Sequence, residues 1–300
     1  MTDETDQTGF EASAGGTPAR QVALAPGLYL VATPIGSARD ITLRALDILA
    51  SADTIAAEDT RTARHLMELH GIKARGRRIV AYHDHSSEGD RARLLGLVRD
   101  GGSVACVSEA GTPLVADPGY RLVKDAVAEG LPVTAAPGPS AALAALSVSG
   151  LPSDRFLFAG FPPSKGAERR KVLEELANIP STLVLYESPR RIKGLLADLV
   201  DIAGADRKAA ICRELTKRFE EVIRGTLAEL AEAVPDKGLR GEVVLVLDRP
   251  LARPIDQEEV DAALLDALER LPMKAAASEI AMRFGTAKRD MYQLALRLKG

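Results

Sequence analysis

LYLVATPIGSARDITLRALDILASADTIAAEDTR, residues 28–61, sets the pattern of the fold. A short apolar run over 28–33 gives way to a turn containing Pro34 and Gly36. An amphipathic stretch follows over 40–52, with Asp40 placed to cap a helix, and then a second apolar run over 54–57. Strand, helix and strand at this spacing make a βαβ unit, whose strands pair in parallel. The grammar then repeats. A helix near 60–70 stops at Gly71, RIVAY (78–82) is a third strand, and a helix over 88–100 ends before Gly101 and Gly102. SVACV (103–107) is a fourth strand, a helix over 118–129 ends at Gly130, and PVTAA (132–136) is a fifth strand. PSAALAALSV (139–148) closes the series as a helix of small residues. Residues 27–150 are expected to form a parallel sheet covered on both faces.

After GLPSD (150–154) the rhythm changes. RFLFAGF (155–161), TLVLYE (182–187), KAAICREL (208–215), EEVIRGT (220–226) and EVVLVLD (242–248) read as strands, with helices over 166–178, 189–203 and 227–233. Several connections are short, which predicts a mixed sheet and a second α/β domain over 151–249. The fold class is α/β, with two α/β domains in series. PLARPID (250–256) reads as a linker, and 250–300 as a small helical extension. Its last two helices, 273–284 and 287–298, flank Gly285 as in a helix-turn-helix or a small helical bundle.

The 300 residues are 46% hydrophobic, enough for two domains with cores. The net charge of −3 weighs against nucleic acid as a partner, but Asp3, Glu4, Asp6 and Glu11 all fall in the first 26 residues. That segment, rich in Ser, Thr, Gly and Pro and without a basic n-region, is expected to be a disordered tail rather than a signal peptide. Local patches therefore matter more than the total. Cys106 and Cys212 lie in apolar runs, as buried thiols do in a reducing cytoplasm. No run of 18 apolar residues predicts a membrane span. Trp is absent and aromatic residues make up 4%, so stacking platforms are not the main theme.

The chain lacks a G-x-G-x-x-G after its first strand, a phosphate-binding P-loop and an H-E-x-x-H pair. His65, His70 and the His83-Asp84-His85 triplet do not form a recognisable metal site, and no metal is expected. The distinctive residues sit where strands end: TPIGSARD (33–40), AEDTR (57–61), SEAGTPLVADPG (108–119) and APGPSA (136–141). In a parallel sheet these loops gather at the carboxyl edge, where such folds bind ligands. Gly36, Gly111 and Gly138 allow close backbone approach, while Pro34, Pro113, Pro137 and Pro139 stiffen the loops. The expectation is a small-molecule pocket built largely of backbone groups.

These loops, together with HDH (83–85), GLPSDRF (150–156), GFPPSK (160–165), YESPRR (186–191), RELTK (213–217) and Gly241-Glu242, occur in an order that resembles the tetrapyrrole methylase superfamily of S-adenosylmethionine-dependent methyltransferases. More narrowly, the chain resembles the branch that methylates a ribose 2′-hydroxyl of a cytidine in 16S ribosomal RNA. The resemblance runs from about Leu28 to Leu247, and the terminal helices resemble that branch's helix-turn-helix-like extension. Ser37 stands where the branch usually has Asn, and Glu109 where it usually has Asp. The resemblance implies a homodimer with S-adenosylmethionine in a cleft between the two domains, acting in the cytoplasm on 16S ribosomal RNA within the 30S subunit. The cofactor would be held by Pro34, Ile35, Gly36, Ala110, Gly111, Thr112, Pro113, Asp117, Pro137, Gly138, Pro139 and Ser140, with Tyr186, Leu215, Gly241 and Glu242 from the second domain. Two alternatives stay open. One is a methylase of a tetrapyrrole intermediate, although such enzymes usually open on a Gly-Pro-Gly-Asp loop. The other is a non-catalytic ribosome-binding factor.

A ribose hydroxyl is a weak nucleophile, so methyl transfer to it gains from a base or a cation near the forming alkoxide. The candidates are Glu58, Asp59 and Glu187 as carboxylates, with Lys217 and Arg190 as cations. Asp59 is also placed to cap the next helix, and Glu214 and Lys217 to pair one turn apart. RNA phosphates would meet basic residues. These are Arg61, Lys165, Arg169, Arg170, Lys171, Arg190 and Arg191, beside further clusters at Lys73, Arg75, Arg77, Arg78 and Lys193, and at Lys288, Arg289 and Arg297 in the terminal helices.

Overall fold

The computed structural model describes residues 19–74, 76–83, 85–116, 119–250 and 257–299. Arg75, Asp84, Asp117, most of the expected linker and the first 18 residues lie outside these. The chain divides into two compact units, one ending at Arg249 and one beginning at Pro250.

The first unit opens with five parallel strands: β1 (Gly27–Val31), β2 (Thr54–Ala57), β3 (Arg78–Ala81), β4 (Ser103–Val107) and β5 (Val133–Ala136). Their order across the sheet is β3-β2-β4-β1-β5. The central β2 and β4 are buried along their whole length, as expected for a sheet covered on both faces. Helices α1 (Leu43–Ser51) and α2 (Thr60–Leu69) pack on one face through Leu46, Leu49, Leu66 and Met67. Helices α3 (Glu88–Arg99) and α4 (Tyr120–Ala128) cover the other through Leu94, Leu95, Val98 and Leu122. The strand order places a switch point between β1 and β4. The chain leaves β1 towards β2 and leaves the adjacent β4 towards β5, so the loops after these strands part and leave a crevice.

Two details correct the sequence reading. Thr42, not Asp40, caps α1, its hydroxyl accepting the Ala45 N–H at 3.1 Å, while Asp40 ends a short 3-10 turn. Residues 19–26, read as part of a disordered tail, lie along α1. The Arg20 N–H reaches Asp47 at 2.7 Å, the Val22 N–H reaches the Ser51 hydroxyl at 2.9 Å, and Ala19 and Leu24 pack on the core.

The second sheet holds β6 (Phe156–Gly160), β7 (Thr182–Glu187), β8 (Lys208–Arg213), β9 (Glu221–Thr226) and β10 (Val243–Leu247), in the order β6-β7-β10-β8-β9. Only β6 and β7 pair in parallel, so the sheet is mixed. Alternation along its strands sends side chains to two different cores. Leu183, Leu185, Ile211, Leu245 and Leu247 face α6 (Gly166–Ala177), α7 (Ile192–Ala203) and α8 (Leu227–Ala233). Val184, Ala210, Cys212, Val244 and Val246 face α5 (Ala141–Ser149), which comes from the first half of the chain. Helix α5 thus joins the two halves. The Tyr186 hydroxyl adds a polar link, accepting the Ala142 N–H at 3.1 Å.

In the second unit, α9 (Gln257–Arg270), α10 (Met273–Phe284) and α11 (Lys288–Lys299) share a core of Val260, Leu264, Ile280, Leu294 and their neighbours. Gly285, left-handed at φ +64°, ends α10. No helix among the described residues is long and apolar enough to cross a membrane.

Candidate functional site

The crevice at the switch point opens into a cavity of about 460 Å³. Loops from both sheets line it. From the first come Pro34, Ile35, Ala110, Gly111, Thr112 and Ser140; from the second come Tyr186, Leu215, Gly241 and Glu242. Of the expected cofactor residues, Gly36, Pro113, Pro137, Gly138 and Pro139 lie outside the lining, and Asp117 lies outside the described residues. The first loops form one braced unit. Thr33 and Gly111 exchange backbone hydrogen bonds at 2.8 and 3.1 Å, with Gly111 at φ +88°. The Ser108 hydroxyl donates to the Gly111 carbonyl at 3.1 Å, and the Thr112 hydroxyl to the Pro139 carbonyl at 2.8 Å.

Gly36 has a different task from the one expected. A Cβ there would fall 2.5 Å from the Lys217 side chain and 3.0 Å from the Leu215 carbonyl, so glycine lets the first loop close against residues 215–217. The Ser37 N–H donates to the Thr216 hydroxyl across the same seam at 3.1 Å. On the Ser37 side that bond uses only the backbone N–H, which asparagine would offer equally. Strain marks these loops. Among the described residues, the non-glycine positions with positive φ are Leu114, Ala116, Glu214 and Thr216, and all four belong to loops that line the cavity.

The carboxylate candidates separate. Glu58 lines the cavity, and its Oε2 accepts the Glu109 N–H at 3.2 Å. Asp59 does not line it. Its carboxylate caps α2 through the Arg61 N–H at 2.7 Å and pairs with the Arg61 guanidinium at 2.8 Å, which holds it down at about 2. Glu187 reaches the cavity wall, but its buried carboxylate is held by the Ser188 N–H at 2.7 Å and the Arg191 guanidinium at 3.0 Å. Lys217 also lines the cavity, bonded to Glu214 at 3.2 Å and Glu242 at 3.1 Å. Burial alone would lower its pKa, but those two carboxylates more than offset this and raise it. The Cys212 thiol on the wall is pushed up to about 11 by burial, which keeps it protonated.

Glu109 was not among the expected acid–base groups, yet it shares the wall with Glu58. Burial first, then the charges of Glu58, Asp59 and Glu242, push its pKa above the ordinary carboxylate range. Only its departure from the usual aspartate pointed to it in sequence. Phe161, also on the wall, was missed altogether.

The basic candidates need a larger correction. Arg169 bonds Asp198 at 2.7 Å, and Arg170 bonds Asp198 at 2.9 Å and Asp201 at 3.1 Å, so both join α6 to α7. Arg191 donates to the Pro162 and Pro163 carbonyls as well as to Glu187. Lys193 is bonded to Asp236 and the Val234 carbonyl, and Arg77 to carbonyls at the end of α1. An arginine already surrounded by fixed acceptors has little left to offer a phosphate. Lys171 and Arg190 are exposed, Lys165 makes one long contact with Glu168 at 3.5 Å, and Arg61 is exposed beside Asp59. No group of three metal-ligating side chains comes together among the described residues.

Comparison with known proteins matches residues 27–231 to the tetrapyrrole (corrin/porphyrin) methylases. The chain belongs to the tetrapyrrole methylase family. Its methyl donor is S-adenosylmethionine. Residues 254–299 match the RsmI C-terminal HTH domain. A relative from Mesorhizobium japonicum, called ribosomal RNA small subunit methyltransferase I, is 49% identical over 94% of this chain and 95% of its own. A relative of the same name from Escherichia coli O157:H7 is 41% identical over 91% and 96%. Among solved structures, the methyltransferase CobJ superposes with a TM-score of 0.57 at 19% identity, covering 74% of this chain and 94% of its own. A Thermus thermophilus uroporphyrin-III C-methyltransferase, complexed with S-adenosylhomocysteine, gives 0.51 at 22% identity, covering 74% and 97%.

The cavity fits the cofactor. Its volume lies within the range of about 300–1,000 Å³ usual for ligand sites, and its wall combines backbone groups with the carboxylates of Glu58, Glu109 and Glu242. Such a wall suits a molecule that carries a positive sulfur and an ammonium group.

Proposed function

We propose that this chain methylates the ribose 2′-hydroxyl of a cytidine in the 16S ribosomal RNA of the small subunit. The observation that carries this reading is 49% and 41% identity, over nine-tenths of the chain, to relatives whose name specifies small-subunit ribosomal RNA, joined to a two-sheet cavity lined by loops that the sequence singles out. The cytidine and its 2′-oxygen rest on the sequence resemblance. The reading extends to a cytoplasmic homodimer acting on the assembled 30S particle.

When bound, S-adenosylmethionine supplies a methyl group activated by its positive sulfur. Backbone groups of Pro34, Ile35, Ala110, Gly111 and Thr112 would hold it from the first half, and Leu215, Gly241 and Glu242 from the second, since all of them line the cavity. The rigid loops fix where the accepting oxygen must come, and positioning of this kind supplies much of the rate. Glu58 is the carboxylate best placed to take the hydroxyl proton, because it lines the cavity and, among the described residues, accepts one hydrogen bond, from the Glu109 N–H. Lys217, kept charged by Glu214 and Glu242, adds positive potential near the forming alkoxide.

The test is tritium transfer from labelled cofactor to small subunits that lack the modification, followed by digestion of the RNA. Label in 2′-O-methylcytidine is the expected result. The reading falls if no label appears while the protein binds cofactor and another enzyme can still methylate the same subunits.

A further inference from the structure

Strand β6 pairs regularly with β7 as far as Phe158, where the register shifts and Ala159 becomes an extra residue. Gly160 then sits at φ +63°. Residues three apart on an unbroken strand point to opposite faces. The bulge cancels that alternation, as bulges beside functional sites do when they re-aim a side chain. Phe158 and Phe161 consequently both pack edge-on against Tyr186, with ring centroids 4.8 and 5.4 Å away. Tyr186 is itself fixed by the Ala142 N–H. Phe161 reaches the cavity wall yet stays 59% exposed.

The chain beyond Phe161 is equally fixed. Pro162 and Pro163 are stiff, and the Arg191 guanidinium donates to their carbonyls at 3.0 and 3.2 Å. Arg191 is anchored in turn on Glu187, whose side chain is fully buried. A flat apolar ring is therefore held rigidly at the rim of the cavity with most of its surface uncovered. Bare aromatic surface of this kind matches the π-face of an unstacked nucleobase, which is how single-stranded RNA is gripped. Of the residues proposed to hold the cofactor, Ile35, Gly111 and Leu215 are buried while Ala110, Gly241 and Glu242 are exposed; Phe161 differs from the exposed ones in offering a large apolar ring to the reactant that arrives from solvent.

We propose that Phe161 is the stacking platform for the target base, and that the Glu187–Arg191 pair is its positioning device. The proposal rests on the ribosomal RNA reading and adds the residue that seats the base. It also gives Glu187 and Arg191 one shared task in place of the separate catalytic and RNA-contact roles read from sequence.

The experiment measures steady-state methylation of unmodified small subunits alongside calorimetric binding of S-adenosylmethionine. Phe161→Ala should raise KM for the subunits by roughly 10–100-fold, the size of one lost base–aromatic stack. Cofactor affinity should stay within about twofold of wild type. Phe161→Tyr keeps the ring and should restore KM. Arg191→Met, with its melting temperature recorded, should also raise KM while leaving cofactor affinity in place. A parallel loss of cofactor affinity in Phe161→Ala would assign the ring to the cofactor's adenine and overturn the proposal, as would an unchanged KM. If wild-type protein leaves no label in cytidine, the RNA reading has failed before any variant is made.

Discussion

The two halves of the cavity are held by different forces. The loops of the parallel sheet are tied mainly by backbone and hydroxyl hydrogen bonds, Thr33 to Gly111, Ser108 to Gly111 and Thr112 to Pro139, with charge entering through Glu58 at the Glu109 N–H and through Asp59 beside Arg61. The loops of the mixed sheet are tied by charge: Glu187 to Arg191, and Lys217 to Glu214 and Glu242. Backbone-tied loops have a shape almost independent of pH and salt. Loops tied by partly buried ion pairs depend on both partners, since removal of one leaves the other desolvated and alone. The first half is thus a fixed cradle, and the second a cover whose shape depends on which side chains are present.

The contrast can be broken most directly in the cradle. Gly111→Arg forces a side chain onto a left-handed backbone at the wall and 3.4 Å from Ile35. Cofactor affinity should fall on the order of 100-fold or more, the sum of strain and lost space. An ordinary calorimetric titration of that variant would remove the 108–116 loop from the site. The next largest effect belongs to the charge-held half. Arg169 and Asp198 are each under 15% exposed, so the double variant Arg169→Glu, Arg170→Glu should destabilise the first unit by about 3 kcal/mol. Thermal melting should fall by roughly 6–12 °C. An unchanged melting temperature, with weakened binding to small subunits, would return both arginines to an RNA surface. The smallest effect sharpens the comparison at the α2 cap. Asp59→Asn keeps a capping side chain but loses the ion pair with exposed Arg61, so the loss of stability should be small. Because the folded pKa is depressed to about 2, that contribution is complete above the ordinary value near 3.8 and fades as pH falls through 2. Acid unfolding followed by circular dichroism should show the two proteins converging below pH 2; a gap that widens there would refute the assignment.

The same contrast explains what could be read from sequence. The alternation of strands and helices and the loop-rich ligand edge followed from apolar runs and from Gly and Pro, because those residues dictate local backbone geometry wherever they stand; the order of the strands did not. TPIG and AGTP therefore announced a site before any fold was known. Ion pairs carry no such local mark. Arg169 and Arg170 read as a basic patch because their partners, Asp198 and Asp201, lie on another helix some thirty residues away. Asp59 and the pair of Glu214 with Lys217 were legible as structural alternatives, since their partners are three residues distant or fewer. Phe161 was hidden for another reason. Strict alternation through FLFAGF places it opposite Phe158, and one extra residue at the bulge reverses the answer. Tail residues 19–26 were missed because a polar, Gly-rich beginning masked the few apolar contacts of Ala19 and Leu24.

Leu114, Ala116, Glu214 and Thr216 all hold left-handed backbone without being glycine. Each such residue costs about 1 kcal/mol or more, in proteins whose whole margin over unfolding is about 5–15 kcal/mol. Glycine at Leu114 or Ala116 would ease that burden, whereas at Glu214 or Thr216 it would also remove the contacts to Lys217 and Ser37. The reward would come with a slacker grip, because the same contorted turns keep the two walls at their working separation. Durability and turnover are therefore set against each other in a handful of residues around one cleft.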